Sequence, residues 1–477
     1  LTDAGGISEE AVNAALDRYS LQYMGVLDFY QTMLPSTPAP VILVPATAHY
    51  SWPRGAGISG IGIQQMLPVE VDLDGRMSML ALRRQLDKCL AEKRPVVMVM
   101  AVIGSTRESA VDPLADIVAI REEYREMGLD FAIHADAAWG GYFGSMLRPG
   151  KVMAMDSPQA LLNDYVERQF DALQYADTIT VDPHKAGFIP YPAGALCYRN
   201  SLMPGLITVV AEIVYHGGDA MTMGACALAG SSPGASTTAV YLSHLCIPPN
   251  RDGYGQILGR CVFNAKRFYA AVVTMPEPKD PFIVVPFKRI PAEVEGKTPI
   301  EVQEQLDLIK EKIVGFDNDV LQAHMDKDPD LAALFEALGP DLTVMNYAFN
   351  FKTAEGLNTD PVLMNELNME IFRACSIEEN TEYAVPEQKL ILTQARFTPD
   401  MYGQAFCDDF ARRLGVTSQE GGGIDYLIST MQNAWITNTS AGNFIPKLTE
   451  ALSDIVTEKV AALVHRHGLT PYDPKKG

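Results

Sequence analysis

Thr178-Ile179-Thr180-Val181-Asp182-Pro183-His184-Lys185-Ala186-Gly187 is the stretch that decides how this 477-residue chain is read. A β-branched run that meets Asp-Pro cannot continue as a helix, because the residue before proline is pushed out of the α region. A strand is therefore expected to end here, with Lys185 on the loop beyond it. In open α/β sheets ligands bind at that edge, and an amine there becomes a nucleophile toward a carbonyl carbon once burial or a nearby cation lowers its pKa. Taken alone, Lys185 is better read as one more solvated lysine.

Phe131-Ala132-Ile133-His134-Ala135-Asp136-Ala137-Ala138-Trp139-Gly140-Gly141 changes that balance. It reads as a second buried strand running into a loop of small residues, and it delivers an acid that cannot be buried without a partner. A helix N-cap would account for Asp136 by itself, but not for Asp136 together with Lys185. A lysine at one strand end and a carboxylate at another are what a pyridoxal phosphate site needs. The amine forms a Schiff base, and the acid keeps the pyridine nitrogen protonated so that the ring accepts electrons.

Four segments occur in order: HYSW at 49 to 52, GSTRESAVD at 104 to 112, HADAAWGG at 134 to 141 and DPHKAG at 182 to 187. In these the chain resembles the group II pyridoxal-phosphate-dependent amino acid decarboxylases, with most likeness to the tyrosine and aromatic amino acid decarboxylases. The likeness covers residues 40 to 260 well and the remainder loosely. It implies an α/β chain of PLP fold type I, similar to aspartate aminotransferase, with a mostly parallel sheet in a large domain and a smaller C-terminal α+β domain. The expected divisions are a helical segment at 1–40, a PLP-binding domain at 41–281 and a small domain at 282–477. Members carry a long region before HYSW, with a Gly/Ser-rich turn that helps hold the cofactor phosphate at a helix N-terminus. No such turn is found here, so an earlier N-terminal region is expected on a longer or separate chain.

The resemblance also implies roles. Lys185 forms the Schiff base, Asp136 holds the pyridinium proton and His49 stacks on the ring. Thr106 lies near the ring's 3-hydroxyl, Ala138 touches the ring by its methyl, and His184 sits on the phosphate side. Thr178 and Asp182 complete the expected cofactor-binding set. Taken alone, a histidine beside aromatic residues is more often a packed one, and the position of His49 before Trp52 and upstream of the Asp and Lys motifs favours the functional reading; Thr106 could otherwise simply cap a turn. Tyr191 stands six residues beyond the lysine and has two readings, a proton donor to the substrate Cα or a tyrosine packed on a dimer neighbour. The Gly/Ser-rich Gly230-Ser231-Ser232-Pro233-Gly234, with Gly217-Gly218 before it, resembles a turn that members place near the phosphate. Relatives often carry a basic residue where this chain has Ser232.

The expected reaction converts an aromatic L-amino acid (tyrosine, DOPA, tryptophan or phenylalanine) to its amine and CO2. Three alternatives stay open: a carbon-carbon lyase of the sphingosine-phosphate lyase type, an aldehyde-forming synthase in which oxygen intercepts the carbanion, and a non-catalytic half of a split enzyme. The lyase would need a basic pocket for a phosphorylated substrate, which an acidic chain offers less readily.

Composition agrees with a soluble enzyme. The chain exceeds the size at which single cores stop growing, is 47% hydrophobic and 20% charged, and carries a net charge of −21. That charge argues against nucleic acid or an anionic membrane as a partner. Seven scattered cysteines without a C-x-x-C pair suggest neither zinc nor a disulfide framework, and fit a reducing cytoplasm. No apolar run approaches the ~20 residues needed to span a bilayer, and no metal site is expected. The expected partner is a second copy, in a homodimer with shared active sites.

Local signals fill in the order. Residues 8 to 33 read as one or two helices behind an N-cap at Ser8, and the proline-rich 35–40 as a linker. GAGISGIG at 55 to 62 lacks phosphate-loop spacing and reads as an irregular turn under the sheet. Strands are expected at Val41–Val44, Pro68–Val71, Pro95–Ile103 and Ala195–Arg199. Asp112-Pro113 reads as the N-cap and first residue of a helix that Gly128 ends. Beyond Phe282, strands are expected at 282–286, 344–351 and 389–395, and helices at 300–315, 362–375, 403–414 and 448–467.

Overall fold

The computed structural model describes residues 6–151, 162–208, 223–227, 229, 231–377, 389–418 and 421–475. The expectation for Gly217-Gly218, and Gly230 of the second turn, lie outside these residues.

Six strands form the first sheet: β1 (Val41–Pro45), β2 (Met66–Val69), β3 (Val96–Val102), β4 (Ala132–Asp136), β5 (Thr178–Val181) and β6 (Ala195–Tyr198). Their order across the sheet is β2-β1-β3-β4-β5-β6. The first five run parallel, and β6 returns antiparallel to β5. Every residue of β1 is buried, as a parallel strand covered on both faces requires. The expected parallel unit between 95 and 136 is present, because β3, the helix Leu114–Glu126 and β4 follow one another with β3 beside β4. Leu114, Ile117, Ile120 and Tyr124 bury one stripe of that helix.

The second sheet is antiparallel. β7 (Phe282–Pro286), β8 (Val344–Thr353), β10 (Thr393–Phe397) and β11 (Ile424–Thr430) run in the order β10-β11-β8-β7, with the two-residue β9 (Gly356–Leu357) turned back on β8. Helices Pro361–Ala374 and Ile445–Arg466 contribute Leu367, Ile371, Val456 and Val460 to the same buried cluster as Val99 and Ile133 of the first sheet. One buried carboxylate also ties the two sheets. Asp341 receives both guanidinium arms of Arg76 (2.7 and 3.0 Å), the ammonium of Lys288 (3.1 Å) and the amide of Val111 (3.0 Å). Burial pushes its carboxyl up, but the two cations overcome this and hold it well below the usual carboxylate range.

Several local expectations need correction. The first half of GAGISGIG is helical, since the helix Ser51–Ile58 takes in Gly55 to Ile58 and Ser59–Gly62 turn, and most of its glycines are exposed rather than packed under the sheet. Asp112 does not cap a helix. Its side chain turns inward, where Oδ1 accepts from Met77 N (2.7 Å) and Oδ2 from Val102 N (2.7 Å), so Pro113 takes the N-cap position. β2 begins two residues earlier than expected, and the strand expected at 389 begins at Thr393. The N-terminal segment holds three helices, Glu9–Tyr19, Leu21–Met24 and Val26–Met33, the first capped by Ser8 as expected. The helix Met79–Glu92, capped by Ser78 and burying Ala81, Leu82, Leu86 and Cys89, had drawn no expectation. Nor had β11. Among the described residues no helix is long and apolar enough to cross a membrane, and no cluster of metal-ligating side chains occurs.

Candidate active site

The carboxyl ends of four neighbouring parallel strands deliver the site. β1 leads to Thr47 and His49, β3 to Gly104 and Thr106, β4 ends on Asp136, and β5 leads to Asp182 and Lys185; all seven line one pocket of about 400 Å³. Sheet register makes the convergence compulsory. Asp136 pairs with Val102 on one side and with Thr180 on the other, and both neighbours also face the pocket. Ligands in open α/β sheets are expected in this crevice.

The Lys185 loop is tightly tied. Asp182 N donates to Ala138 O (3.2 Å), which links the two motif loops, and Lys185 N donates back to Asp182 O (3.0 Å). Tyr254 Oη holds Gly187 O at 2.9 Å. No side chain fits at Gly187, where a Cβ would lie 2.5 Å from Pro183 O and 2.6 Å from the Tyr142 ring. Lys185 Nζ lies 3.0 Å from Asp182 Oδ2. An acid three residues away thus partners the amine in a half-buried setting.

Asp136 is oriented from two sides. Ala138 N donates to Oδ1 (3.2 Å), and the indole Nε1 of Trp52 donates to Oδ2 (2.8 Å). His49 Nδ1 accepts from Ser51 N (3.3 Å) and lies 2.8 Å from Ser51 Oγ. Burial and the nearby Lys185 ammonium lower the His49 pKa, against the opposing pull of Asp136 and Asp182. The lowered pKa favours the uncharged ring, and the Ser51 amide donating to Nδ1 favours the tautomer that carries its proton on Nε2.

Thr106 sits on a loop anchored by buried Glu108, which accepts from Ser105 Oγ (2.8 Å) and from Tyr402 Oη of the C-terminal half. Gly104 opens that loop at φ 89°, and a Cβ there would lie 2.6 Å from Leu342. Ala138, His184 and Tyr191 complete the expected residues on the pocket wall. His184 accepts from Ala193 N at Nδ1 (3.0 Å) and stacks on Tyr191, with ring centroids 3.8 Å apart. Tyr191 is 71% exposed.

Thr178 is not brought to this pocket. It pairs with His134 two residues before the strand end, about 6–7 Å down the sheet, and its hydroxyl bonds His134 Nδ1 (2.7 Å). Thr180 takes the place expected for Thr178. The missed residues are Thr180, Thr47, Trp52 and Trp139. Strand alternation puts Thr180 on the same face as Thr178 and does not choose between them, and Trp52 was legible only as the last letter of HYSW. Ser231 to Gly234 are not among the lining residues; they precede and open the helix Gly234–Cys246.

The hydroxyl of Thr47 and the indole nitrogen of Trp139 are buried without hydrogen-bond partners among the described residues, and both side chains line this pocket. Unsatisfied polar groups beside a lysine, a carboxylate and an imidazole fit a polar, aromatic ligand that supplies their partners.

Residues 31–212 match the pyridoxal-dependent decarboxylase conserved domain. The chain is 29% identical over 398 residues to an L-tyrosine decarboxylase of Enterococcus faecium, covering 79% of this chain and 55% of that protein. It is 36% identical over 244 residues to an L-tyrosine decarboxylase of Levilactobacillus brevis, covering 48% of this chain and 39% of that protein. The chain thus spans little more than half the length of the first of these relatives, and less of the second. Among solved structures, mouse CSAD aligns with a TM-score of 0.55 at 15% identity, over 94% of this chain and 70% of its own. A Catharanthus roseus tryptophan decarboxylase aligns with a TM-score of 0.53 at 13% identity, over 94% and 67%. At these identities the two structures speak for the fold, a PLP fold type I α/β architecture with a mostly parallel sheet. Residues 31–212 are thus similar to the pyridoxal-dependent decarboxylase conserved domain.

Proposed function

We propose that the chain is a pyridoxal-phosphate-dependent carboxy-lyase that converts an aromatic L-amino acid, tyrosine first, to its amine and CO2. The observation that carries this reading is the meeting of Lys185, Asp136 and His49 in one pocket at the strand ends of a decarboxylase domain. Pyridoxal phosphate, when bound, supplies the electron sink for the pair released as the Cα–carboxylate bond breaks.

The chain's own groups do the rest. Lys185 would hold the cofactor through its amine, with Asp182, 3.0 Å from Nζ, keeping that amine in place. Asp136 keeps a proton on the pyridine nitrogen through a charge-assisted hydrogen bond worth roughly 1.5–3 kcal/mol. His49 would pack against the ring, and its lowered pKa favours the form that adds no positive charge there. Thr106 and Ala138 bound the ring, and His184 serves the phosphate side. Tyr191 returns a proton to Cα from the open side of the pocket.

Tyrosine leads because the relatives cited above carry that name. Relatives in Methanocella arvoryzae and other archaea are named probable L-tyrosine/L-aspartate decarboxylases, so aspartate is the second substrate to try. We also infer a large unit at 41–281 and a smaller one at 282–477, supported by the confinement of β1–β6 and β7–β11 to either side of that break. A cytoplasmic homodimer fits the cysteine pattern and the exposed Tyr241, Leu242 and Leu245, and sedimentation of the purified chain tests the dimer.

The test of the reaction is CO2 release with added cofactor on tyrosine, DOPA, tryptophan, phenylalanine, glutamate and aspartate. Release from an aromatic acid with matching amine is expected. Release from none of the six would overturn the reading.

A further inference from the structure

We propose that Trp52 is a positioning residue for the cofactor, acting through Asp136. This rests on the reading of Asp136 as the partner of the pyridine nitrogen and adds to it the group that sets its carboxylate.

Three observations carry the inference. The indole Nε1 of Trp52 donates to Asp136 Oδ2 at 2.8 Å, the one side-chain donor to this carboxylate among the described residues. The indole is itself fixed. It lies edge-on to His134, with ring centroids 5.1 Å apart at 62°, and packs against the cluster of Ile42, Val44, Met100 and Val102. His134 in turn is 5% exposed and lies between Thr178 Oγ1 (2.7 Å) and Thr180 Oγ1 (3.2 Å). The donor is thus held by neighbours on β1, β3 and β4, with His134 itself fixed from β5, and has little freedom to leave the carboxylate.

The geometry also explains a spacing in the sequence. His49 and Trp52 flank the start of the helix Ser51–Ile58, so one short segment brings both the imidazole at the pocket and the donor behind Asp136. A carboxylate has about four lone-pair sites. Trp52 occupies one on Oδ2 and Ala138 N one on Oδ1, which fixes the plane of the group and leaves acceptor capacity for a protonated ring nitrogen. Without the indole, one oxygen of a half-buried carboxylate loses its only side-chain donor, and the carboxylate is free to rotate.

The test compares cofactor affinity of Trp52→Phe, Asp136→Asn and the double variant with the unaltered protein. The apo chain is titrated with pyridoxal phosphate and followed by the absorbance of the bound cofactor, with urea unfolding of each apo protein alongside. Trp52→Phe keeps an aromatic ring in the packing and removes the N–H. It is expected to weaken cofactor binding about tenfold, the scale of one hydrogen bond to a charged group. In the Asp136→Asn background the same change is expected to add less than about twofold, because residues acting through one group are not additive. Unchanged affinity in Trp52→Phe overturns the proposal. So do losses that add fully in the double variant, or a loss matched by an equal drop in apo stability, since each marks a packing role only. Failure of the unaltered chain to bind the cofactor instead strikes the reading of the pocket itself.

Discussion

At the scale of single residues, the site separates groups that the sequence alone identifies from groups that only the sheet reveals. Lys185 and Asp136 were legible because their chemistry is costly to bury and because Asp136 ends one strand while Lys185 follows another. Trp52 was not, because indole in a motif reads as packing until its nitrogen is seen 2.8 Å from Asp136. Thr178 failed for a related reason: strand alternation puts Thr178 and Thr180 on the same face, and only register says which is at the open edge. Tyr191 packs on His184 of its own chain, at the pocket wall and largely in solvent, where a phenol can exchange its proton. Tyr191→Phe is expected to lower amine formation by at least tenfold while leaving cofactor affinity within about twofold. Amine formation at the unaltered rate would remove Tyr191 from the reaction.

At the scale of elements, the strand-helix-strand unit from β3 to β4 was legible in its β-branched run, its helical stripe and its closing glycine. Asp112 was misread because Asp-Pro before a helix is a strong capping signal, and nothing local says that two backbone amides of other elements compete for the same carboxylate. Burial pushes this acid up to about 7, against the donations from Val102 and Met77. Between about pH 4 and 7 the folded chain therefore holds a proton that the unfolded chain has lost, and this group's contribution to stability falls as pH rises through that window. Asp112→Asn gives one of the two amides a donor in place of an acceptor, at a cost of about 1–3 kcal/mol. In urea unfolding at several pH values, the stability difference between the unaltered chain and this variant is expected to shrink from pH 4 to 7. A difference constant across that range would contradict the assignment.

At the scale of the whole molecule, the parallel sheet was legible in its buried apolar runs, while the C-terminal half was less so. β8 and β11 are buried along most of their length, so polar-apolar alternation is weak there, and β11 passed unnoticed between a glycine-rich turn and Met431. The joining of the halves through Asp341, and of the Thr106 loop to Tyr402 through Glu108, depends on residues hundreds of positions apart that no local pattern relates. These long-range ties give the strand-end pocket a fixed frame. The central claim is that this frame presents Lys185 to pyridoxal phosphate. The most direct measurement is borohydride reduction of the purified chain after incubation with the cofactor, followed by peptide mapping by mass. The expected result is a single cofactor adduct on the peptide containing Lys185, absent from Lys185→Ala; no adduct, or an adduct on another lysine that persists in that variant, would contradict it.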